Sequence, residues 1–247
     1  MAVYSEVIDT QRQLKVRERM FYSSMAIVIA IVIFVGFSRT FYLRSYFQFR
    51  DQRLIPLLIL HGIVFSSWLA LFLTQTTLVA TKRTRIHMKL GIAGGVLAAL
   101  MIIIGTFTAI VRAKTPSPIP GVSPLSFLTI PLGDMLVFGI LVGAAFYFRR
   151  QLDTHKRLML LASIALLPAG VARWPIGFIE TGGPLMFYGL ADLFIIPCLI
   201  YDFATRGRPH KATVLGGALI VISDPLRLVI GGTHAWLVFA TWLTHWT

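Results

Sequence analysis

The sequence predicts an all-α fold: a polytopic membrane helix bundle of about seven transmembrane helices plus a C-terminal interfacial helix. Three observations carry that prediction. Only 13% of the 247 residues are charged while 56% are hydrophobic, against about 25% charged in an ordinary soluble domain. Mean hydropathy is +0.77. Apolar runs also recur at the ~20 helical residues needed to cross a ~30 Å hydrocarbon core. Residues 1–247 therefore read as a single transmembrane domain with no room for a soluble module.

In chain order, the apolar windows place helices at 21–43, 54–79, 88–112, 127–148, 157–174, 184–203 and 212–232. Residues 1–20 are polar and mixed in charge, which predicts a cytoplasmic N-terminal segment. The span that follows is too long for a cleaved signal peptide, so this segment is expected to stay on the protein. The connection from Lys114 to Pro124 is rich in proline and is expected to be extended. The last segment, 234–247, is too short to span. Its Trp236, Phe239, Trp242 and Trp246 recur at helical spacing, as in a helix lying at the headgroup level.

The net charge of +13 does not point to nucleic acid, because the basic residues lie in short clusters between apolar runs. With the N-terminus cytoplasmic, fifteen of the 23 Lys and Arg fall on that face: Arg12 to Arg19, Lys82 to Lys89, Arg149 to Arg157 and Arg206 to Lys211. The others are Arg39, Arg44, Arg50, Arg53, Arg112, Lys114, Arg173 and Arg227. That bias predicts N-in, C-out in a bacterial inner membrane, with the lipid bilayer as the first partner. The lone cysteine, Cys198, excludes a disulfide framework and a Cys-based metal site.

Three helix starts share a histidine beside basic residues: His87-Met-Lys-Leu, His155-Lys-Arg-Leu and His210-Lys-Ala-Thr. Either three related hairpins or one topological demand met three times accounts for them. Gly91 with Gly95, and Gly139 with Gly143, fit the small-xxx-small spacing of closely packed membrane helices.

Candidate chemistry begins on the second helix. His61, Phe65, Trp68, Phe72 and Gln75 share one face. A polar residue at each end with three aromatics between is unlike a lipid-facing stripe, so this face is expected to point inward. It reads as a helix–helix seam or as the wall of a ligand pocket. His61, Asp134 and Asp192 each sit six to eight residues from the outer helix ends, ~10 Å deep at 1.5 Å per residue. Arg173 and Arg227 lie nearer the same boundary, and Arg39 closes the first helix there. An intramembrane charge costs at least ~2.5 kcal/mol and normally faces the interior with a partner. The group reads either as a structural ion-pair network, with Asp224 and Arg227 a local pair, or as a site. The arginine surplus would then invite an anionic propionate, carboxylate or phosphate.

On the cytoplasmic side, His87, His155 and His210, with Asp153 and Asp202 nearby, form a candidate zinc or iron site. Their spacing is between helices, so solvated or headgroup-facing histidines are the alternative. Haem b is the other candidate cofactor. His61 has no depth-matched histidine partner except His234 near the boundary, so any haem would be five-coordinate on His61. No lysine lies mid-span in the last helix, which argues against a retinal Schiff base; nucleophile-elbow, phosphate-loop and dinucleotide motifs are absent. Pro168, Pro197 and Pro225 interrupt three helices, as suits a cavity or a moving helix.

The pattern H-x3-F-x2-W-x3-F-x2-Q from His61 to Gln75, a basic loop, and R-x-H-x-x-L-G from Arg85 to Gly91 resemble a group of uncharacterised bacterial seven-helix inner-membrane proteins. The stretches His155 to Ala162 and Asp224 to Leu228 fit the same resemblance. The H-x-x-L-G element is also similar to one in b-type-cytochrome-like membrane families. The resemblance implies the seven-helix fold and carries no activity with it.

The function expected from the residues is the binding of an amphiphilic ligand or cofactor with an anionic head in an intramembrane, outer-leaflet pocket, with its transport as a variant. His61, Asp134, Arg173, Asp192 and Arg227 would form the polar end, and Phe65, Trp68 and Phe72 the apolar wall. In the transport variant Gln75 is the candidate for an inner polar gate. Two rivals stand beside it: a haem or metal redox protein, and a structural subunit held by partner subunits of a larger membrane complex.

Overall fold

A computed structural model describes residues 2–48 and 55–246, without the side chains of residues 2–11 and of Glu180. Arg50 and Arg53 of the charge count lie outside the described residues. The described chain is all-helical. The helices are α1 (Ala2–Phe37), α2 (Pro56–Ala80), α3 (Thr84–Arg112), α4 (Pro124–Phe127) and α5 (Thr129–Tyr147). They continue as α6 (Leu152–Ile164), α7 (Leu167–Val171), α8 (Gly177–Asp192), α9 (Ile195–Arg206), α10 (Lys211–Gly231) and α11 (His234–His245). A π-helical turn, Ser38–Tyr42, closes α1.

Six stretches are long and apolar enough to cross a membrane: Arg12–Tyr42, Pro56–Ala80, Thr84–Arg112, Pro124–Tyr147, Thr181–Arg206 and Lys211–Gly231. The predicted fifth helix, 157–174, is not among them, because the chain breaks there into α6 and α7. Pro168, in the first turn of α7, lacks an N–H and its ring clashes with the carbonyl four residues earlier. The helix therefore ends at Ile164 and restarts at Leu167. The other two prolines act differently. Pro197 falls in the first turn of α9, just after the break at Leu193–Phe194, and Pro225 lies within a continuous α10. In α8, Gly183 has φ 66°, a left-handed backbone available to glycine, and Pro184 follows it.

The N-terminal segment is part of helix α1 and not a separate tail. Glu18 pairs with Lys156 of α6 at 2.9 Å. The Pro-rich connection after α3 carries no helix before α4.

Neighbouring helices pair as α1 with α2, α2 with α3, α3 with α5, and α5 with α10. The broken α6–α7 unit packs against α1, α5, α8 and α10, and it is the most enclosed part of the molecule. From Leu158 to Val171 all but Met159 and Ala169 are buried. Gly36 of α1 lies so close to Gly170 of α7 that a Cβ there would come within 2.2 Å of the Gly170 carbonyl oxygen. On α3, Gly94 meets Leu71 and Gly95 meets Phe146. Hydroxyls of Ser66, Ser67, Thr74 and Thr77 return to carbonyls four residues earlier, satisfying polar groups on an apolar helix.

Candidate functional site

The bundle gathers its buried polar groups into two clusters at opposite ends. The first joins α5, α8 and α10. Arg227 on α10 is 6% exposed. Its Nη1 donates to Asp134 Oδ1 of α5 at 2.5 Å and to the Tyr188 hydroxyl of α8 at 3.3 Å. Its Nη2 donates to Ser223 Oγ at 2.9 Å and lies 3.3 Å from Asp224 Oδ1. The guanidinium also lies 5.5 Å from the centroid of the Tyr188 ring. Gly133 makes room for this: a Cβ there would fall 2.4 Å from Arg227 Cδ and Nε.

Local sequence explains the arrangement. Ser223, Asp224 and Arg227 lie three and four apart on α10, so they share a face. Tyr188 and Asp192 are likewise four apart on α8. Asp134 sits in the second turn of α5, at a depth comparable to Asp224, which is seven residues from the end of α10.

The polar accounting of this cluster does not close. Asp224 is 2% exposed, yet neither carboxylate oxygen receives a hydrogen bond. Asp192 Oδ1 and Arg227 Nε are likewise buried without partners. Asp192 and Asp224 act electrostatically on each other and on Arg227. Three carboxylates thus surround Arg227, while Arg173 acts on Asp134 from outside the cluster.

The expected site divides accordingly. Asp134, Asp192 and Arg227 come together, joined by Asp224. Tyr188 and Ser223 belong with them but had escaped the sequence reading, although the four-residue spacing from Tyr188 to Asp192 was a usable signal. Arg173 does not join. It is exposed in the α7–α8 connection, with its guanidinium 4.5 Å from the Phe37 ring centroid and Nη1 bonded to Ala169 O. His61 lies near Arg173 and stacks on Phe65 at 4.1 Å, its Nδ1 buried and unpartnered. Trp68 and Phe72 are buried in the hydrophobic core, Trp68 edge-on to Phe138 of α5 at 5.0 Å. Phe65 meets Gly105 of α3. The aromatic face of α2 is thus a packed helix–helix seam.

The second cluster joins α1, α6, α9 and α10 at the other end. Arg157, 4% exposed, donates from Nε to Asp202 Oδ1 at 2.8 Å, and its Nη2 bonds the same oxygen. Asp202 Oδ2 accepts from Thr213 Oγ1 at 2.6 Å and from the His210 N–H at 3.0 Å. Asp153 gathers Lys156 and Arg206 around this core. Beside it, Tyr22, Cys198 and Tyr201 line a cavity of about 10 Å³, close to the minimum that holds a water. Arg157 and Asp202 read in sequence as boundary charges; the fold buries them.

The candidate metal trio is separated. His87 faces Gln75: with its amide turned so that both ends are satisfied, Gln75 donates to His87 Nδ1 at 2.7 Å and accepts from the Gly91 N–H at 3.0 Å. His155 Nδ1 bonds Ala145 O at 2.8 Å, and His210 Nδ1 accepts from Ala212 N, capping α10. Among the described residues no group of three His, Cys, Asp or Glu is placed to hold a metal ion. Gln75, the candidate inner gate, serves as a tie between α2 and α3.

Two groups at helix starts, outside the six long apolar stretches, have charges set by these contacts. Hydrogen bonding to Lys156 holds the Asp153 carboxyl below its ordinary range, and Arg157 and Arg206 add to the effect. Burial, with Arg157 and Arg206 nearby, lowers the His210 imidazole. This agrees with its role as an acceptor at the cap.

No family model matches this chain, and neither does any curated protein or solved structure.

Proposed function

We propose that this chain is a multi-pass membrane protein that binds a proton at the cluster of Asp134, Asp192, Asp224 and Arg227 and carries it across the bilayer. The single observation behind this is the Asp224 carboxylate, buried in the interior with no hydrogen bond to either oxygen and with only Arg227, 3.3 Å away and shared with Asp134, as counter-charge. An ionised carboxylate in that position is costly unless something neutralises it. Arg227 offsets one of three negative charges; a bound proton offsets another.

The cluster also lies where helices are interrupted. Asp192 ends α8 immediately before the break to α9, and Asp224 precedes Pro225 in α10. Interrupted helices free backbone carbonyls at membrane depth, and transporters place coupling-ion sites at such points. The cluster of Arg157 and Asp202, fully bonded at the opposite end, supports a state closed on that side.

In this reading there are seven crossings. The α6–α7 unit, Leu152–Val171, is long enough at 1.5 Å per residue to traverse the core, and its neighbours shield the break from lipid. The N-terminus is cytoplasmic, the C-terminus outside, and the membrane a bacterial inner membrane. Helix α11 lies at the interface: Trp242 is 57% exposed, while Trp236 Nε1 anchors to Leu125 O at 2.8 Å. The ligand's charge differs from the anionic head that the arginine count favoured, because Arg227 is already committed to Asp134, Ser223 and Tyr188.

The test is flux in proteoliposomes. Wild-type protein is expected to pass protons, read by internal pyranine under a clamped potential. Asp224→Asn and Asp192→Asn should fall to the rate of protein-free liposomes. Wild-type protein that moves no protons, or variants that move them at the wild-type rate, would refute the proposal.

A further inference from the structure

We infer a second binding site at the outer boundary of the bundle, formed by Arg112 and Arg173 beside His61, which takes the phosphate of an anionic phospholipid. It shares no residue with the aspartate cluster and stands or falls separately.

The two arginines come from elements far apart in sequence. Arg112 occupies the last turn of α3 and Arg173 the connection between α7 and α8. They lie close enough to act on each other electrostatically, and His61 of α2 faces Arg173 in the same way. Among the described residues neither arginine is ion-paired to a carboxylate. Asp134, the acid that acts on Arg173, is bonded to Arg227. Two guanidinium groups this near each other, with the one acid that acts on Arg173 already bonded to Arg227, repel unless an anion lies between them.

The groups left open fit such an anion. A guanidinium has five N–H donors in a planar fork. Arg173 gives one hydrogen bond, to Ala169 O, and rests on the Phe37 ring, which fixes the plane of the fork without using its other donors. His61 Nδ1 is buried and unpartnered next to it. Arginine forks match phosphate oxygens bidentately, a geometry that an ammonium cannot reproduce.

Position selects the source of the phosphate. Arg112 closes α3 and Phe37 closes α1, so the site lies at one end of the apolar spans, where lipid headgroups sit. Below it, Ile59 and Ile63 of α2 and Ile103 and Phe107 of α3 are exposed and apolar, a surface for acyl chains. Paired positive charge above an apolar face complements a lipid with a net negative headgroup.

The experiment is thermal unfolding of the full chain in a neutral detergent with added phosphatidylglycerol, phosphatidylcholine or sodium phosphate at equal concentration. Phosphatidylglycerol should raise the wild-type Tm by about 5 °C or more, with little effect from the other two. Arg112→Gln with Arg173→Gln should abolish the rise, while Arg149→Gln, at an exposed position at the other end, should keep it. If the double variant does not fold, Arg173→Lys provides the test. It keeps the charge, loses the fork and should bind phosphatidylglycerol about tenfold more weakly. The inference is overturned if phosphatidylcholine stabilises equally, if inorganic phosphate reproduces the rise, or if the site variants retain wild-type phosphatidylglycerol binding. Equal loss in Arg149→Gln would also overturn it, by showing a diffuse charge effect.

Discussion

Asp202 and Asp224 are both buried aspartates near an arginine, and replacing each by asparagine should have opposite consequences. Asp202 receives hydrogen bonds from Arg157 Nε and Nη2, Thr213 Oγ1 and the His210 N–H. Each hydrogen bond to a charged group contributes about 1.5–3 kcal/mol, though such contributions do not simply add. Asp202→Asn removes the closer of the two carboxylates paired with Arg157, the other being Asp153 at 3.5 Å, and turns an amide NH2 toward donors. Breaking a buried pair on one side costs about 3–5 kcal/mol. For a chain of this size that corresponds to a Tm lower by roughly 6–20 °C. Asp224 receives no hydrogen bond, and its one close cation, Arg227 at 3.3 Å, also has Asp134. Asp224→Asn deletes a poorly compensated charge while keeping the shape, so stability should change by less than about 1 kcal/mol or rise. Thermal unfolding in detergent, followed through the five tryptophans, measures both. The reasoning is refuted if Asp202→Asn lies within about 1 kcal/mol of wild type, or if Asp224→Asn costs as much as Asp202→Asn.

Other expectations follow from the same contacts. Gly133→Ala places a Cβ 2.4 Å from the Arg227 stem and should cost about 1–3 kcal/mol in unfolding experiments. Trp236→Phe removes the bond to Leu125 O and should cost about 0.5–1.5 kcal/mol, with a shift in tryptophan emission as α11 loosens. His210 binds its proton less readily in the folded state, so its contribution to stability is complete above its unfolded pKa of about 6.5 and is lost as pH falls below it. In His210→Asn, which retains a capping acceptor, the slope of Tm between pH 7 and 5 should flatten. Asp153 is depressed, so its contribution is present above the unfolded carboxylate pKa of about 3.9 and disappears as pH falls through its lower folded value. Asp153→Asn should remove that acid-limb loss in a pH series of melts.

Length, apolar runs and scarce charge were enough to predict an all-helical, membrane-type chain, because crossing a hydrocarbon core demands long helices and little else. The inward face of α2 was also legible, since Trp68 and Phe72 fall on a helical period. The expectations that changed all depended on neighbours distant in sequence. Arg227 meets Asp134, 93 positions away, and Arg157 meets Asp202, 45 positions away. Depth along a helix can be counted from sequence, but the angle around the bundle cannot. Arg173 and Arg227 therefore looked alike at one depth, and packing left one exposed in the α7–α8 connection and buried the other in the core. The same distinction separates His87, His155 and His210, which share a boundary but face different partners. Composition determined that this chain is built for an apolar solvent. Which charges are paired, which are left open and where the broken α6–α7 helix sits were decided by tertiary packing, because a charge inside the bundle takes its energy from whichever side chains the neighbouring helices bring within hydrogen-bond reach.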